Sequence, residues 1–277
     1  MFLTHSGYLL YLKLISNNVL RLTFLGTGTS NGVPVLGCNC EVCTSADVRN
    51  KRFRAAVMIE SSTTRILIDC GPDIRMQLLR VPFRKINGIL LTHEHYDHIG
   101  GIDDLRPYCK FGDIDIYANA ATVSAVQRCF PYCFAEHLYP GVPKLNLHAI
   151  AKHDNLKIGD IAVQPIEVLH DRLPILGYRF GSTAYITDMK SIAIEEMTYL
   201  QGIDTLIINA LRWKDMHHSH LIVPEAIKFA RKIGAKRTFL THLTHRIGLH
   251  DKADNQLPSD IHFAYDGMSL ELYNMHY

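Results

Sequence analysis

A chain of 277 residues with 47% hydrophobic content is long enough to bury the core of one large domain or two small ones. Its 29 basic and 27 acidic residues leave a net charge of +2, with no basic tail or stripe, so charge offers no footprint for gripping nucleic acid through its phosphates. No apolar run reaches the roughly 18 to 20 residues that span a bilayer, which implies a soluble protein with no membrane partner.

Residues 1–18 are mildly apolar around 8–15 but have no basic start and no small-residue cleavage pattern. They are expected to be a variable extension, with 19–277 forming one domain. A first strand at 21–25 leads into a glycine-rich stretch, 26–32, that lacks the Gly-Lys-Ser/Thr of a nucleotide-binding loop and whose glycines permit a tight turn. Cys38, Cys40 and Cys43 then fall within six positions, a metal-ligand spacing in a chain whose seven cysteines make no even disulfide set. A reducing, cytoplasmic setting fits that usage.

Strands are predicted next at 56–59 and 65–69, a helix at 73–79, and strands at 88–92 and 115–117. A helix at 119–128 follows, with Cys129 and Cys133 after it as packing residues, then a strand at 161–168 and another at 183–187. The remainder reads as a helix at 192–199, a strand at 205–209, a helix at 223–233 with Pro224 in its first turn, and a strand at 237–240. The alternation predicts an α/β domain of two layered sheets, without linker, repeat or low-complexity segment.

Four metal-capable side chains sit just past apolar strands: His93 after Leu90-Leu91-Thr92, His170 after Val168-Leu169, Asp188 after Tyr185-Ile186-Thr187, and His242 after Phe239-Leu240-Thr241. The carboxyl ends of strands are where α/β folds place ligands, so one shared site is expected. The sharpest signal is His93-Glu94-His95-Tyr96-Asp97-His98, in which three imidazoles and a carboxylate crowd six positions. Buried in a structural loop, each would need its own hydrogen-bond partner, whereas metal ions satisfy all four. His93 and His95, two apart in extended chain, point the same way and grip one ion; Asp97 and His98, at a turn into a helix near Ile99-Gly100-Gly101, reach a second. Asp188 is the natural bridge, with His170 completing the first shell and His242 the second. Ions roughly 3.5 to 4 Å apart can hold a nucleophilic hydroxide between them. Asp69, which ends a strand before Gly71, is either a hydrogen-bond partner of a ligating histidine or an ordinary strand-ending residue.

The His-x-His-x-Asp-His run followed by a lone His, a lone Asp and a last His resembles the metallo-β-lactamase-fold hydrolases. The resemblance extends from Arg21 nearly to the C-terminus and fills all seven ligand positions: His93, His95, Asp97, His98, His170, Asp188 and His242. It implies a four-layer αββα sandwich with mixed sheets, two active-site Zn²⁺ or Mn²⁺ ions, and Asp97 as a catalytic residue as well as a ligand. Within the superfamily the chain is most similar to the phosphonate-operon cyclic phosphodiesterases, which open ribose 1,2-cyclic phosphates. Three features carry that finer likeness: Phe24-Leu25-Gly26-Thr27-Gly28-Thr29-Ser30 with Gly32-Val33-Pro34 and the three cysteines; His245, three residues beyond His242; and Ala210-Leu211-Arg212 leading to His217-x-Ser219-His220 and Glu225-Ala226. The likeness implies a structural Zn²⁺ held by Cys38, Cys40, Cys43 and His245, where the alternative is free thiols beside an unrelated histidine. It also implies that His220 contacts the scissile phosphate or its leaving oxygen, although His217 and His218 crowd the same stretch and spacing leaves the choice open. A homodimer is implied by family likeness alone.

The expected activity is therefore two-metal hydrolysis of a small, cyclic phosphodiester. A β-lactamase of this fold usually lacks the bridging carboxylate that Asp188 supplies. A glyoxalase II needs a C-terminal helical domain, and 35 residues follow His242. A tRNA 3′-end endonuclease carries a long basic, glycine-rich arm that no insertion here resembles. A lactonase would use the same metals but more often offers a tyrosine hydroxyl where His220 stands. A non-catalytic metal-binding module is opposed by the complete ligand set.

Overall fold

The computed structural model describes residues 19–273, so the expected extension at 1–18 lies outside the described residues. Fourteen strands form two seven-stranded sheets. The first contains β1 (Val19–Gly26), β2 (Ala56–Glu60), β3 (Arg65–Ile68), β4 (Gly88–Leu90), β5 (Ile114–Ala118), β6 (Leu145–Ala149) and the last strand, β14 (Ser269–Tyr273), in the order β14-β1-β2-β3-β4-β5-β6. The second contains β7 (Leu156–Ile158), β8 (Ile161–His170), β9 (Leu173–Phe180), β10 (Thr183–Ile186), β11 (Thr205–Asn209), β12 (Arg237–Thr241) and β13 (Ile261–Phe263), in the order β13-β12-β11-β10-β9-β8-β7. Both are mixed: β3 to β6 run parallel and β10 to β13 run parallel, while the other neighbours are antiparallel.

The strands are apolar on both faces because both faces are covered. Successive side chains point to opposite sides of a sheet, and Val57, Ile59, Ile66 and Ile68 meet Tyr178, Tyr185, Ile207 and Phe239 in a core between the sheets. Their alternates face outward: Met58 and Leu67 pack with Ile74, Ile102 and Val126, and Ala184, Ile186, Leu206 and Ile208 pack with Val223, Ala226 and Ala230. Those partners lie on helices Ile74–Leu78, Ala120–Cys129 and Val223–Ile233 and on the 3₁₀ segment Ile102–Phe111. The layering is thus helix, sheet, sheet, helix, the αββα sandwich. None of the helices among the described residues is long and apolar enough to cross a membrane.

The expected helix at 192–199 is replaced by a short 3₁₀ segment, Glu196–Leu200. Ser191 is held extended against Leu169, and the buried Glu196 carboxylate turns inward to accept from the Glu167 N–H and pair with His153 and Lys152, so tertiary demand overrides the helical pattern. Cys133 is buried as expected, but Cys129 is exposed, because it ends the Ala120–Cys129 helix on its solvent side.

The end of β3 clasps the histidine-rich loop. Cys70 N–H donates to the His98 carbonyl at 2.7 Å and Gly101 N–H to the Cys70 carbonyl at 2.9 Å. The backbones approach so closely that a Cβ on Gly71 would lie 2.0 Å from the Asp97 carbonyl oxygen. Gly71→Ala is therefore expected to cost about 1 to 3 kcal/mol of stability, read as a lowered urea midpoint; an unchanged midpoint would contradict this close approach.

Candidate metal centre

The site is assembled at the carboxyl ends of β4, β8, β10 and β12. Beyond β4, Tyr178 Oη donates to the Leu91 carbonyl at 2.6 Å and Leu176 N–H to the Thr92 carbonyl at 3.0 Å, so the second sheet fixes where the first releases its chain. The next residues carry His93 and His95, then a short helix, Tyr96–Ile99, turns Asp97 and His98 the other way. Asp188 and His242 stand just past β10 and β12, and both adopt the left-handed backbone, at φ 57° and 57°. Asp69, after β3, does the same at φ 64°. Non-glycine residues rarely take this conformation, and here it turns three functional side chains away from their strand directions.

Three overlapping groups of ligand atoms result, His93, His95 and His170 in one, Asp97, His98, Asp188 and His242 in another, and His170, Asp188 and His220 in a third, all atoms within a group lying within 4.8 Å of one another. His93 and His98 are fully buried, whereas His95 is exposed and leaves the first group open to solvent. Asp188 lies 3.4 Å from His98 Nε2 through one oxygen and 3.0 Å from His242 Nε2 through the other. Burial works against ionisation of Asp188, but His242, His98 and His220 outweigh it and hold the carboxyl well below its usual range. Burial likewise opposes a charged His98, and Asp97, Asp188 and Asp69 reverse that effect.

These residues fit divalent cations. Among the described residues His98 Nε2 and His242 Nε2 are buried and make no hydrogen bond despite carboxylate oxygens at 3.4 and 3.0 Å, a costly arrangement that a cation on each nitrogen would relieve. The ring faces are also fixed for ligation. His98 Nδ1–H donates to Asp69 at 2.7 Å, and His170 Nδ1–H donates to the carbonyls of Asp188 and Ser219 at 2.8 and 2.9 Å, leaving each Nε2 free. Asp69 is thus a hydrogen-bond partner of a candidate ligand.

Cys38, Cys40 and Cys43 each place Sγ 3.3 Å from a single nitrogen, His245 Nδ1. One nitrogen has one lone pair or one proton to share, so three equal contacts are better met by a cation at their centre. The Cys40 thiol is pulled down to about 6, chiefly by the backbone of Cys43, while burial pushes the Cys43 thiol up to about 11, so the three thiols do not ionise together without a cation. Thr29 N–H donates to the Leu243 carbonyl at 3.1 Å and Leu243 N–H to Thr27 at 2.8 Å, so the glycine-rich loop is already pinned to the segment carrying His242 and His245.

Of the three crowded histidines, His220 is the one at the centre: its Nε2 lies 3.0 Å from Asp188 Oδ1. His217 stands behind it at 3.1 Å between Nδ1 atoms, and the exposed His218 ring lies tilted at 32° to His217 with centroids 4.5 Å apart. Burial pushes His220 down to about 4, opposed by Asp188.

Sequence reasoning missed Thr92, Asn209 and Ser219. Thr92 Oγ1 bridges Asp69 and His93 Nδ1, each at 3.0 Å. Asn209 grips the backbone of Met189 on both sides, at 2.8 and 3.0 Å, and so fixes the Asp188 turn. Ser219 contacts His220 through its hydroxyl at 3.0 Å and His170 through its carbonyl. Asn209 left a legible signal, a polar residue ending the apolar run Leu206-Ile207-Ile208, as at the other site strands.

Residues 64–243 match the Beta-lactamase superfamily domain. The crystal structure of a diphosphatase from the PhnP family is similar with a TM-score of 0.85 and 38% identity, covering 92% of this chain and 97% of that one. The chain is 41% identical over 250 residues to an octanoyltransferase of Porphyromonas gingivalis, a match covering 90% of this chain and 51% of that protein. It is 44% identical over 169 residues to Ribonuclease Z of Bradyrhizobium diazoefficiens, covering 59% of this chain and 50% of that protein. The chain spans about half the length of these two curated relatives.

The Asp69 to His98 hydrogen bond carries a consequence for affinity. Asp69→Asn is expected to weaken metal binding about 10- to 100-fold, measured by competition with a chelator of known affinity; unchanged affinity would show that Asp69 does not orient a ligand.

Proposed function

The chain belongs to the Beta-lactamase superfamily and within it to the PhnP family, as a metal-dependent hydrolase of the metallo-β-lactamase fold, and from that premise we propose that it is a phosphodiesterase acting on a small, cyclic phosphodiester. The observation that carries this reading is the imidazole of His220 beside Asp188. Burial favours the neutral ring of His220, whose N–H can donate to a phosphate oxygen, whereas ester and lactone hydrolysis would be better served by a hydroxyl donor. The names of two relatives, a diphosphatase and a Ribonuclease Z, both denote hydrolysis at phosphorus and support the same chemistry. The name octanoyltransferase belongs to a protein of which this chain matches 51%, and it assigns no acyl chemistry to the residues at the centre.

In this reading His93, His95 and His170 would hold one divalent cation, and Asp97, His98, Asp188 and His242 would hold a second. When bound, the pair supplies Lewis acidity toward the phosphoryl oxygens and lowers the pKa of an attacking water. The chain's own residues do the rest. Asp97 and Asp188 stay ionised among imidazoles, Asp69 and the Ser219 carbonyl fix ring orientation, and His220 Nε2, 3.0 Å from Asp188 Oδ1, is the group we assign to the leaving oxygen. The histidine and aspartate sets accept Zn²⁺ or Mn²⁺; the thiolates of Cys38, Cys40 and Cys43 with His245 select a structural Zn²⁺.

The test is hydrolysis of bis(p-nitrophenyl) phosphate by the protein loaded with Mn²⁺ or Zn²⁺, beside p-nitrophenyl phosphate, a simple lactone and a 3′-extended tRNA. Diester cleavage is expected, abolished in Asp188→Ala and lowered in kcat by about 100-fold or more in His220→Ala. Lactone turnover with inert diesters would overturn the assignment, and cleavage of the tRNA alone would move it to the Ribonuclease Z activity.

A further inference from the structure

A cavity of about 430 Å³ is lined by Arg212, Trp213, Lys214, Arg246 and Gln256, none of them a candidate metal ligand. Three of those five residues are cationic in a chain whose 29 basic and 27 acidic residues nearly cancel, so positive charge is concentrated here well beyond its average density. The nearby carboxylate is Asp215, which pairs with Arg246. Arg212 is braced through Nε alone, which donates to the carbonyls of Lys214 and Asp215 at 3.1 and 2.9 Å. Among the described residues its two terminal nitrogens have no hydrogen-bond partner, and Lys214 has no ion-pair partner. A braced guanidinium with both terminal nitrogens free is the fork that grips a phosphate with two parallel hydrogen bonds, and a lysine adds a point charge.

The wall is braced, and its two loops are the ones that carry His220 and His242. Trp213 Nε1 donates to the Ile247 carbonyl at 2.9 Å, and the indole meets Phe263 edge-on with ring centroids 5.8 Å apart. Thr244 ties the two contributing loops together, donating from N and Oγ1 to the Leu211 carbonyl at 3.1 and 2.8 Å. One of these loops runs on from Arg212 to His220, and the other starts at His242 and passes through His245 before Arg246.

We propose that this cavity is a binding site for a phosphate monoester dianion, separate from the metal ions and formed by Arg212, Lys214 and Arg246 against the Trp213 wall. Two sources offer that chemistry: free inorganic phosphate and a phosphate ester. An ester of this class is also what diester hydrolysis releases, and that link alone rests on the phosphodiesterase reading.

Trp213 is the single tryptophan of the chain, so its emission reports on this cavity. The metal-loaded protein is titrated with inorganic phosphate and, separately, with AMP. A saturable change in emission is expected, weakened about tenfold or more in Arg212→Gln and in Lys214→Gln and retained in Asp188→Ala. Tighter binding of AMP than of inorganic phosphate assigns the site to an ester, and equal binding assigns it to the free anion. Absence of a saturable change would overturn the proposal, as would a change that survives both cavity variants but disappears in Asp188→Ala, which would put the anion on the metals. Retained diester hydrolysis without any emission change would reject the cavity site and leave the phosphodiesterase reading standing.

Discussion

Asp69, Asp97 and Asp188 meet the rings of His93, His98 and His242 in a region almost sealed from water, where an uncompensated charge costs several kcal/mol even after relaxation. Protons on the imidazoles can balance those carboxylates only in part, since burial drives His93 the other way, well below its usual range. Divalent cations would balance all of them at once and would give the Nε2 atoms of His98 and His242 a partner. The rest of the architecture follows from keeping this charge in one place. Both sheets end their central strands there, and the strained turns at Asp69, Asp188 and His242 aim carboxylate and imidazole groups that straight strands would have carried past one another.

That demand also explains why hydrogen bonds between otherwise separate units gather at the site's rim. Tyr178 and Leu176 hold the end of β4 from the opposite sheet, Asn209 locks the Asp188 turn, and the His245 cluster ties the glycine-rich loop to the segment after β12. The proposed two-metal centre would tolerate little displacement of its ligands, so these clamps would turn the stability of the sandwich into precision at the site. Only His95 is left exposed, which opens one side of the centre to a substrate.

Much of this was legible in the sequence because the strongest signals were local. The His93 to His98 run declared its chemistry within six residues, and the strand-end positions of His170, Asp188 and His242 followed from apolar runs stopping at a polar residue. The αββα layering followed from family likeness rather than from periodicity, since strands apolar on both faces carry no alternation to count. What escaped was set by tertiary partners. β9 contains Pro174 and Gly177, which weaken a strand signal, yet it pairs along its whole length with β8. The helix pattern at 192–199 yielded to the inward pull on Glu196, and no sequence rule marks Thr92 or Ser219, whose roles consist of bonds to residues made special by other elements.

The most direct measurement is anomalous X-ray diffraction from crystals of the metal-loaded protein, recorded on either side of the Zn and Mn absorption edges. Two peaks roughly 3.5 to 4 Å apart, flanking Asp188, with a third peak at zinc energy among Cys38, Cys40, Cys43 and His245, is the result this account predicts. A single peak or none at Asp188 would contradict it, leaving the buried carboxylates balanced by protonated histidines and the two-metal chemistry without a foundation.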